Sequence, residues 1–461
     1  MTCWFLWDIM ERDEQSSLFF CKEDIVMYKK RIYEIQLLFE GALVGILTGT
    51  VVSVFRWLLD WSEVLRETVY SWGESSPSVL LLWFSLLVLV AAVLCRIAGK
   101  EPMASGSGIP QVKGILLGKM KMNWFRVLYL KFLGAVLGIG AGLSLGRQGP
   151  SVQFGACIGQ GISHLWGKSG FREERNLLTA GAGAGLAAAF NAPLAGVVFC
   201  MEELAPDFSA VQVLSGILAA AVSTAVSRTV FGAQPVFHLE DLPVILLGKD
   251  YAIFLLLGIF CGFLGLLFNR GLLFSLEMYD RLSLRGMAKV MPALLLAGIL
   301  GFFLPEVLGG GNTLVDKLLV MDYELSFLLV LLIAKYFFTL LCFGSGSPGG
   351  IFLPMMALGA AAGAIFSKGA LFFGLMDPSL APCCIVFGMA GYFAGAVKSP
   401  VSSSILIMEL TGSFDHMLIL LCISFSACLM LDMFGVPPIY DAILRRNLGK
   451  KSRRGCSMKG H

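Results

Sequence analysis

Gly146-Arg147-Gln148-Gly149-Pro150 lies between two apolar segments and opens a third, and a partner pattern follows about 200 residues later. This stretch reads as the start of a helix that begins inside the protein rather than at a membrane surface. Such a helix leaves its first N–H groups without backbone acceptors. Those groups and the positive end of the helix dipole form an anion site that needs no fixed positive charge. That suits a pathway, because partial charges bind and release a small anion that a Lys or Arg would hold too tightly. At the centre of the stretch stands Gln148, a neutral side chain.

Composition sets the solvent. Charged residues make up 15% of the chain and apolar residues 57%, with a mean hydropathy of +0.79. A soluble domain carries about 25% charged residues. So few charges cannot cover a soluble surface, which predicts an all-α polytopic membrane protein. The net charge of +3 is unevenly placed, with seven Lys/Arg and no Asp/Glu from Arg445 to the end. That basic tail is expected to be cytoplasmic. The first 35 residues mix both signs (Asp8, Glu11, Arg12, Lys29, Lys30, Arg31), unlike a cleaved signal peptide. They read as a cytoplasmic lead-in, so an even number of crossings is expected. The twelve Cys form no CxxC pair, and the four His (His164, His238, His416, His461) show no ligand spacing. No metal, cofactor, P-loop or nucleic-acid partner is expected.

Two long apolar runs come first, at about 37–59 and 79–97, each long enough to span. Beyond them the runs shorten and are cut by Gly and Pro, as half-helices ending within the protein are. The halves repeat. A shift of 204 places Gly106 on Gly310, Lys131 on Lys335, Pro150 on Pro354 and Gly155 on Gly359. A shift of 207 places Pro193 on Pro400, Met201 on Met408 and Glu202 on Glu409. The expected division is a cytoplasmic segment 1–35, a first transmembrane repeat 36–235, a second 236–445 and a basic tail 446–461. Interrupted helices at corresponding places predict a transport site between the repeats. Four segments fit such a site: GSGIP at 106–110, GRQGP at 146–150, GGIFLP at 349–354 and PPIY at 437–440. Ser107 and Tyr440 add hydroxyl donors, and the lack of an acidic ring favours anions.

These four segments, in this order, resemble the signatures of the CLC family of chloride channels and proton-coupled chloride transporters. Lys131-Phe132, Asn191-Ala192-Pro193 and Met201-Glu202-Glu203 extend the likeness to about residues 36–445. The resemblance implies about 18 helices, many re-entrant or tilted, in two inverted-topology repeats, and a homodimer with a pore in each subunit. It implies a chloride held by the Ser107 and Tyr440 hydroxyls and the N–H groups of Ile351 and Phe352. The chain ends soon after Tyr440, so the CBS pair of many eukaryotic members is expected to be absent. A prokaryotic-type member of the inner membrane, with both termini cytoplasmic, is the corresponding expectation. Tyr440 and an intact GSGIP distinguish the chain from the fluoride branch, and Ser107 from nitrate-preferring members.

Position 148 departs from the coupled members, which carry Glu there. A carboxylate is itself an anion that occupies the outer chloride position, and protonation releases it, so one side chain trades a proton for chloride. Gln148 does not ionise. Arg147, Gln148 and Gly149 therefore read as an external gate position that stands unlatched, with chloride passing uncoupled from protons. If Gln148 is a substitution or is bypassed, H+/Cl− antiport is the alternative. Glu203, with Glu202 beside it, matches the family's inner proton acceptor, and an ionisable group at membrane depth is a functional hypothesis by default. For Lys131, either tuning of the pathway's potential or pairing with a carboxylate is expected. Arg147 either draws anions to the mouth or binds a backbone carbonyl. An intramembrane hydrolase is a remote rival. It rests on Gly142-Leu143-Ser144-Leu145-Gly146, a G-x-S-x-G match without a His in a plausible partner segment.

Overall fold

The computed structural model describes residues 22–457, except 74–75, 168–169, 205–209, 238–242, 244, 246–247, 283 and 285. Most of the expected cytoplasmic lead-in, the end of the basic tail, His238 and His461 therefore lie outside the described residues. The described residues form seventeen α-helices and no named strand. The first half runs α1 (Lys22–Gly73), α2 (Pro77–Lys100), α3 (Ile109–Leu116), α4 (Trp124–Gly140), α5 (Gln148–Leu165), α6 (Phe171–Phe190), α7 (Pro193–Phe199) and α8 (Ala210–Phe231). The second half follows the same series as α9 (Lys249–Arg281), α10 (Met291–Phe303), α11 (Asn312–Val320), α12 (Leu325–Gly344), α13 (Phe352–Phe372), α14 (Ala381–Val397), α15 (Pro400–Thr411) and α16 (Met417–Met433). Helix α17 (Ile439–Ser457) closes the described chain and carries most of the basic tail.

Among the described residues, eight helices are long and apolar enough to cross a bilayer. Others are not. Helices α3, α7 and α11 hold 8, 7 and 9 residues. They are roughly 10–14 Å long, against a hydrocarbon core of about 30 Å. Short helices at that depth are tolerated because protein, not lipid, surrounds their ends.

The repeat seen in the sequence shift is carried by geometry. Among the described residues, the only non-glycine residues with positive φ are Asn191 (60°) and Lys398 (67°), the C-caps of α6 and α14. They stand 207 apart, the spacing of Pro193 and Pro400. Each is followed by a proline-started short helix, because a left-handed cap turns the chain and Pro presets the next first turn.

Glycine pairs bring the central helices together. A Cβ at Gly155 on α5 would sit 1.8 Å from the Gly181 carbonyl on α6, and one at Gly359 on α13 would sit 2.5 Å from the Gly388 carbonyl on α14. Only glycine permits such backbone contact, the usual driver of packing where lipid removes the hydrophobic effect. Helix α5 is buried from Gln148 to Ser163, and α13 and α14 are buried along most of their length. Helices α5, α13 and α14 thus form the centre of the molecule, with the exposed apolar side chains mostly on the outer helices.

Candidate anion-binding site

Three glycine-rich loops meet at the molecular centre. Gly146 and Gly350 form an antiparallel bridge, with Gly146 N donating to the Gly350 carbonyl at 2.6 Å and Gly350 N donating to Gly146 at 2.8 Å. Gly106 N donates to Gly346 O at 3.3 Å, and Gly349 N donates to Gly106 O at 3.0 Å. The loop before α13 is therefore tied to the loops before both α3 and α5. This joins the two halves through backbone alone and holds the starts of α5 and α13 in fixed relation.

Each loop is braced by its own side chains. Gln111 accepts from Gly108 N at 3.1 Å and donates to Ser105 O at 2.8 Å, closing the turn that presents Ser107. The buried Lys131 ammonium donates to Gly106 O at 2.5 Å. In the second half, Lys335 donates to Val307 O at 2.8 Å and Gly309 O at 2.9 Å. The two lysines that coincide under the 204 shift thus do the same job, staking a glycine loop by its carbonyls. This replaces the carboxylate pairing considered for Lys131.

The polar groups left over define the site. Gln148 is 0% exposed, and neither its amide nitrogen nor its amide oxygen has a partner within the protein. The Ser107 and Tyr440 hydroxyls are also buried and unpartnered. Buried polar groups are nearly always satisfied, so a cluster that is not points to a ligand. A Cβ at Gly149 would lie 2.6 Å from Ser107 Oγ and 3.1 Å from Gly350 Cα, so Ser107 presses on the first turn of α5. Ile351 is the N-cap of α13 and Phe352 its first residue. Their N–H groups come from the part of a helix that lacks internal acceptors. The Phe352 ring is locked among Phe190, Phe199 and Phe393, with centroids 5.3, 5.7 and 4.2 Å away. The structure brings Ser107, Gln148, Gly149 and the start of α13 into one place. Tyr440 lies at the start of α17, which the Asp441–Lys113 ion pair ties to α3, the helix that follows Ser107.

Arg147 lies beside this cluster. Its guanidinium is 3.4 Å from Asp60, and its Nε is unpartnered. It lines a cavity of about 40 Å³ with Asp60, Glu63, Arg66 and Leu353. Acidic and basic groups share this cavity, so Arg147 is one charge in a mixed set rather than a free cation. The backbone-carbonyl bond considered for it is replaced by the ion pair with Asp60.

The two adjacent glutamates take different roles. Glu202 accepts from Val401 N at 3.2 Å, Ser402 N at 2.7 Å and Ser402 Oγ at 2.6 Å, capping α15. Glu409 accepts from Leu194 N at 3.1 Å and Ala195 N at 2.7 Å, capping α7. Each half thus caps the other's short helix. Glu203 is 4% exposed and accepts from Lys113 Nζ at 2.9 Å and Ser399 Oγ at 3.4 Å. Lys113 also reaches Asp441 at 2.5 Å. Sequence reasoning missed Lys113, Ser399 and Asp441; the charge of Lys113 within an apolar eight-residue helix was the available signal. Ser144, the serine of the G-x-S-x-G match, is buried and pairs its hydroxyl with that of Thr339 at 2.7 Å.

Eight described helices apolar enough to span a membrane, with short helices whose glycine-rich starts are tied together at the centre, are the architecture of an ion-transport protein. A family model described as voltage gated chloride channel matches residues 87–432. The chain is 35% identical over 426 residues to the H(+)/Cl(-) exchange transporter ClcA of Vibrio cholerae serotype O1 (strain M66-2), covering 89% of each chain. It is 35% identical over 431 residues to the transporter of the same name from Salmonella agona (strain SL483), covering 90% of this chain and 89% of that one. Its structure is similar to that of a slow cyanobacterial Cl-/H+ antiporter, with a TM-score of 0.84 and 31% identity over 90% of this chain and 99% of the other. The chain belongs to the voltage-gated chloride channel family.

Proposed function

We propose that this chain carries chloride across a membrane through a pore within each subunit, and that Gln148 leaves that transport uncoupled from protons. The observation that carries the reading is the fully buried, unpartnered Gln148 amide at the first turn of α5, beside the unpartnered Ser107 hydroxyl. Ser107, Tyr440 and the N–H groups of Ile351 and Phe352 are the proposed chloride ligands. An amide at 148 neither carries a proton nor competes as an anion for the outer position. We further assign the chain to a homodimer in a prokaryotic inner membrane with both termini cytoplasmic, for which the resemblance of the four signature segments is the support.

Paired chloride and proton fluxes from proteoliposomes test the coupling. Chloride efflux without proton uptake, with uptake appearing in Gln148→Glu, is the expected result. Proton movement already present with Gln148 would sink the uncoupled reading. Proton-coupled exchange is the second reading, favoured by the buried Glu203 and by the names of the relatives. In this chain a proton arriving at Glu203 has to displace an ion pair with Lys113.

A further inference from the structure

The ammonium of Lys113 touches two carboxylates from different elements, Glu203 at 2.9 Å and Asp441 at 2.5 Å. Lys113 belongs to α3, the helix whose start presents Ser107. Asp441 follows Tyr440 directly in the first turn of α17. Glu203 comes from the π-helical turn Cys200–Leu204 that continues α7. One cation therefore ties together the element bearing Ser107, the element bearing Tyr440 and the inner carboxylate.

The three groups differ in access. Side-chain exposure is 4% for Glu203, 14% for Lys113 and 30% for Asp441. The Lys113–Glu203 bond is the buried root and the Lys113–Asp441 bond is the part that solvent reaches. Breaking the root strands a buried charge, which is costly. Breaking the outer bond leaves Asp441 able to hydrate and costs little. Of the two bonds, the outer one is the easier to open.

We propose that the Lys113–Asp441 ion pair is a latch on the mouth that faces the basic tail, holding α17 against α3 so that the elements bearing Ser107 and Tyr440 stay together. This rests on the reading of the Ser107 and Tyr440 hydroxyls as chloride ligands. Chloride leaving between them needs α17 to move from α3, and the latch resists that motion. Asp441 and Lys113 are positioning residues here, since neither is assigned to touch the ion.

The test measures chloride efflux from proteoliposomes against chloride concentration for wild type, Asp441→Asn and Asp441→Glu. Release of the latch in Asp441→Asn raises maximal flux by about threefold or more, the scale of a part-exposed ion pair, with half-saturating chloride unchanged. Asp441→Glu, which keeps the pair, returns the wild-type rate. Unchanged maximal flux in Asp441→Asn overturns the latch. So does a shift confined to half-saturating chloride, which marks a simple field effect of the lost charge. Asp441→Ser serves the same comparison if the Asn variant does not fold. Wild-type flux no faster than that of empty vesicles instead removes the chloride reading itself.

Discussion

Gln148 holds the one position in the site where a change of a single atom type alters the chemistry. Its amide matches a protonated carboxylic acid in shape and lacks its acidity. Chloride flux is therefore expected to vary little with pH in the wild type. In Gln148→Glu the ionised side chain blocks and the protonated one opens, so flux rises as pH falls; stopped-flow or electrode-recorded efflux across a pH series shows this. A flat profile in the Glu variant contradicts the gate. The unpartnered hydroxyls lead to a different expectation. The Tyr440 hydroxyl hydrogen-bonds to nothing within the protein, so Tyr440→Phe breaks no internal bond. In chloride-free detergent its thermal midpoint should equal or exceed the wild-type value. The stabilisation that chloride adds by binding the folded state should shrink. A hydrogen bond to a charged partner is worth about 1.5–3 kcal/mol, so Ser107→Ala is expected to weaken chloride binding by about tenfold or more, as read by calorimetry.

At the scale of the helix, the pseudo-symmetric capping by Glu202 and Glu409 predicts parallel consequences. Glu202→Ala strips two N–H acceptors from the start of α15, and Glu409→Ala does the same at α7. Each unsatisfied buried group costs about 1–3 kcal/mol, so both variants should unfold at lower temperature in thermal melts, Glu202→Ala by more, because it also frees the Ser402 hydroxyl and because Leu194 at the start of α7 is exposed. A fall for one alone would show that the other carboxylate is not a stabilising cap. Close packing makes a related claim. Gly155→Ala drives a methyl into the Gly181 backbone, which no rotamer change relieves. Poor recovery of monodisperse protein is expected, whereas Gly216→Ala, with open space at its Cβ, should behave as wild type.

Much of this was legible in the chain. The glycine–proline interruptions announced helices that start at depth, because few other residues allow the backbone approach and the abrupt start. The shifts of 204 and 207 announced the halves, because Lys and Pro are rare enough to mark a register. What stayed hidden depends on contacts between distant segments. Glu202 and Glu409 stood at one offset, yet their target, the start of the opposite half's short helix, follows only from the fold. The Lys113–Asp441 pair joins the early α3 to the late α17, and no local pattern links them. Arg147 read either as an anion attractor or as a donor to a backbone carbonyl because its partner Asp60 lies on another helix.

The whole molecule is two halves that each lack something the other supplies. The backbone bridge of Gly146 with Gly350 and the crossed caps on α7 and α15 all run between halves. This has a consequence for biogenesis. During synthesis the first half leaves the ribosome before Glu409 exists, so α7 waits with bare N–H groups until the second half arrives. The first half is thus expected to linger as an inserted but unfinished bundle. Residues 1–235 expressed alone should be sensitive to protease and to extraction. Co-expression with 236–461 should restore both protease resistance and chloride flux, because the missing caps can be delivered by a separate chain.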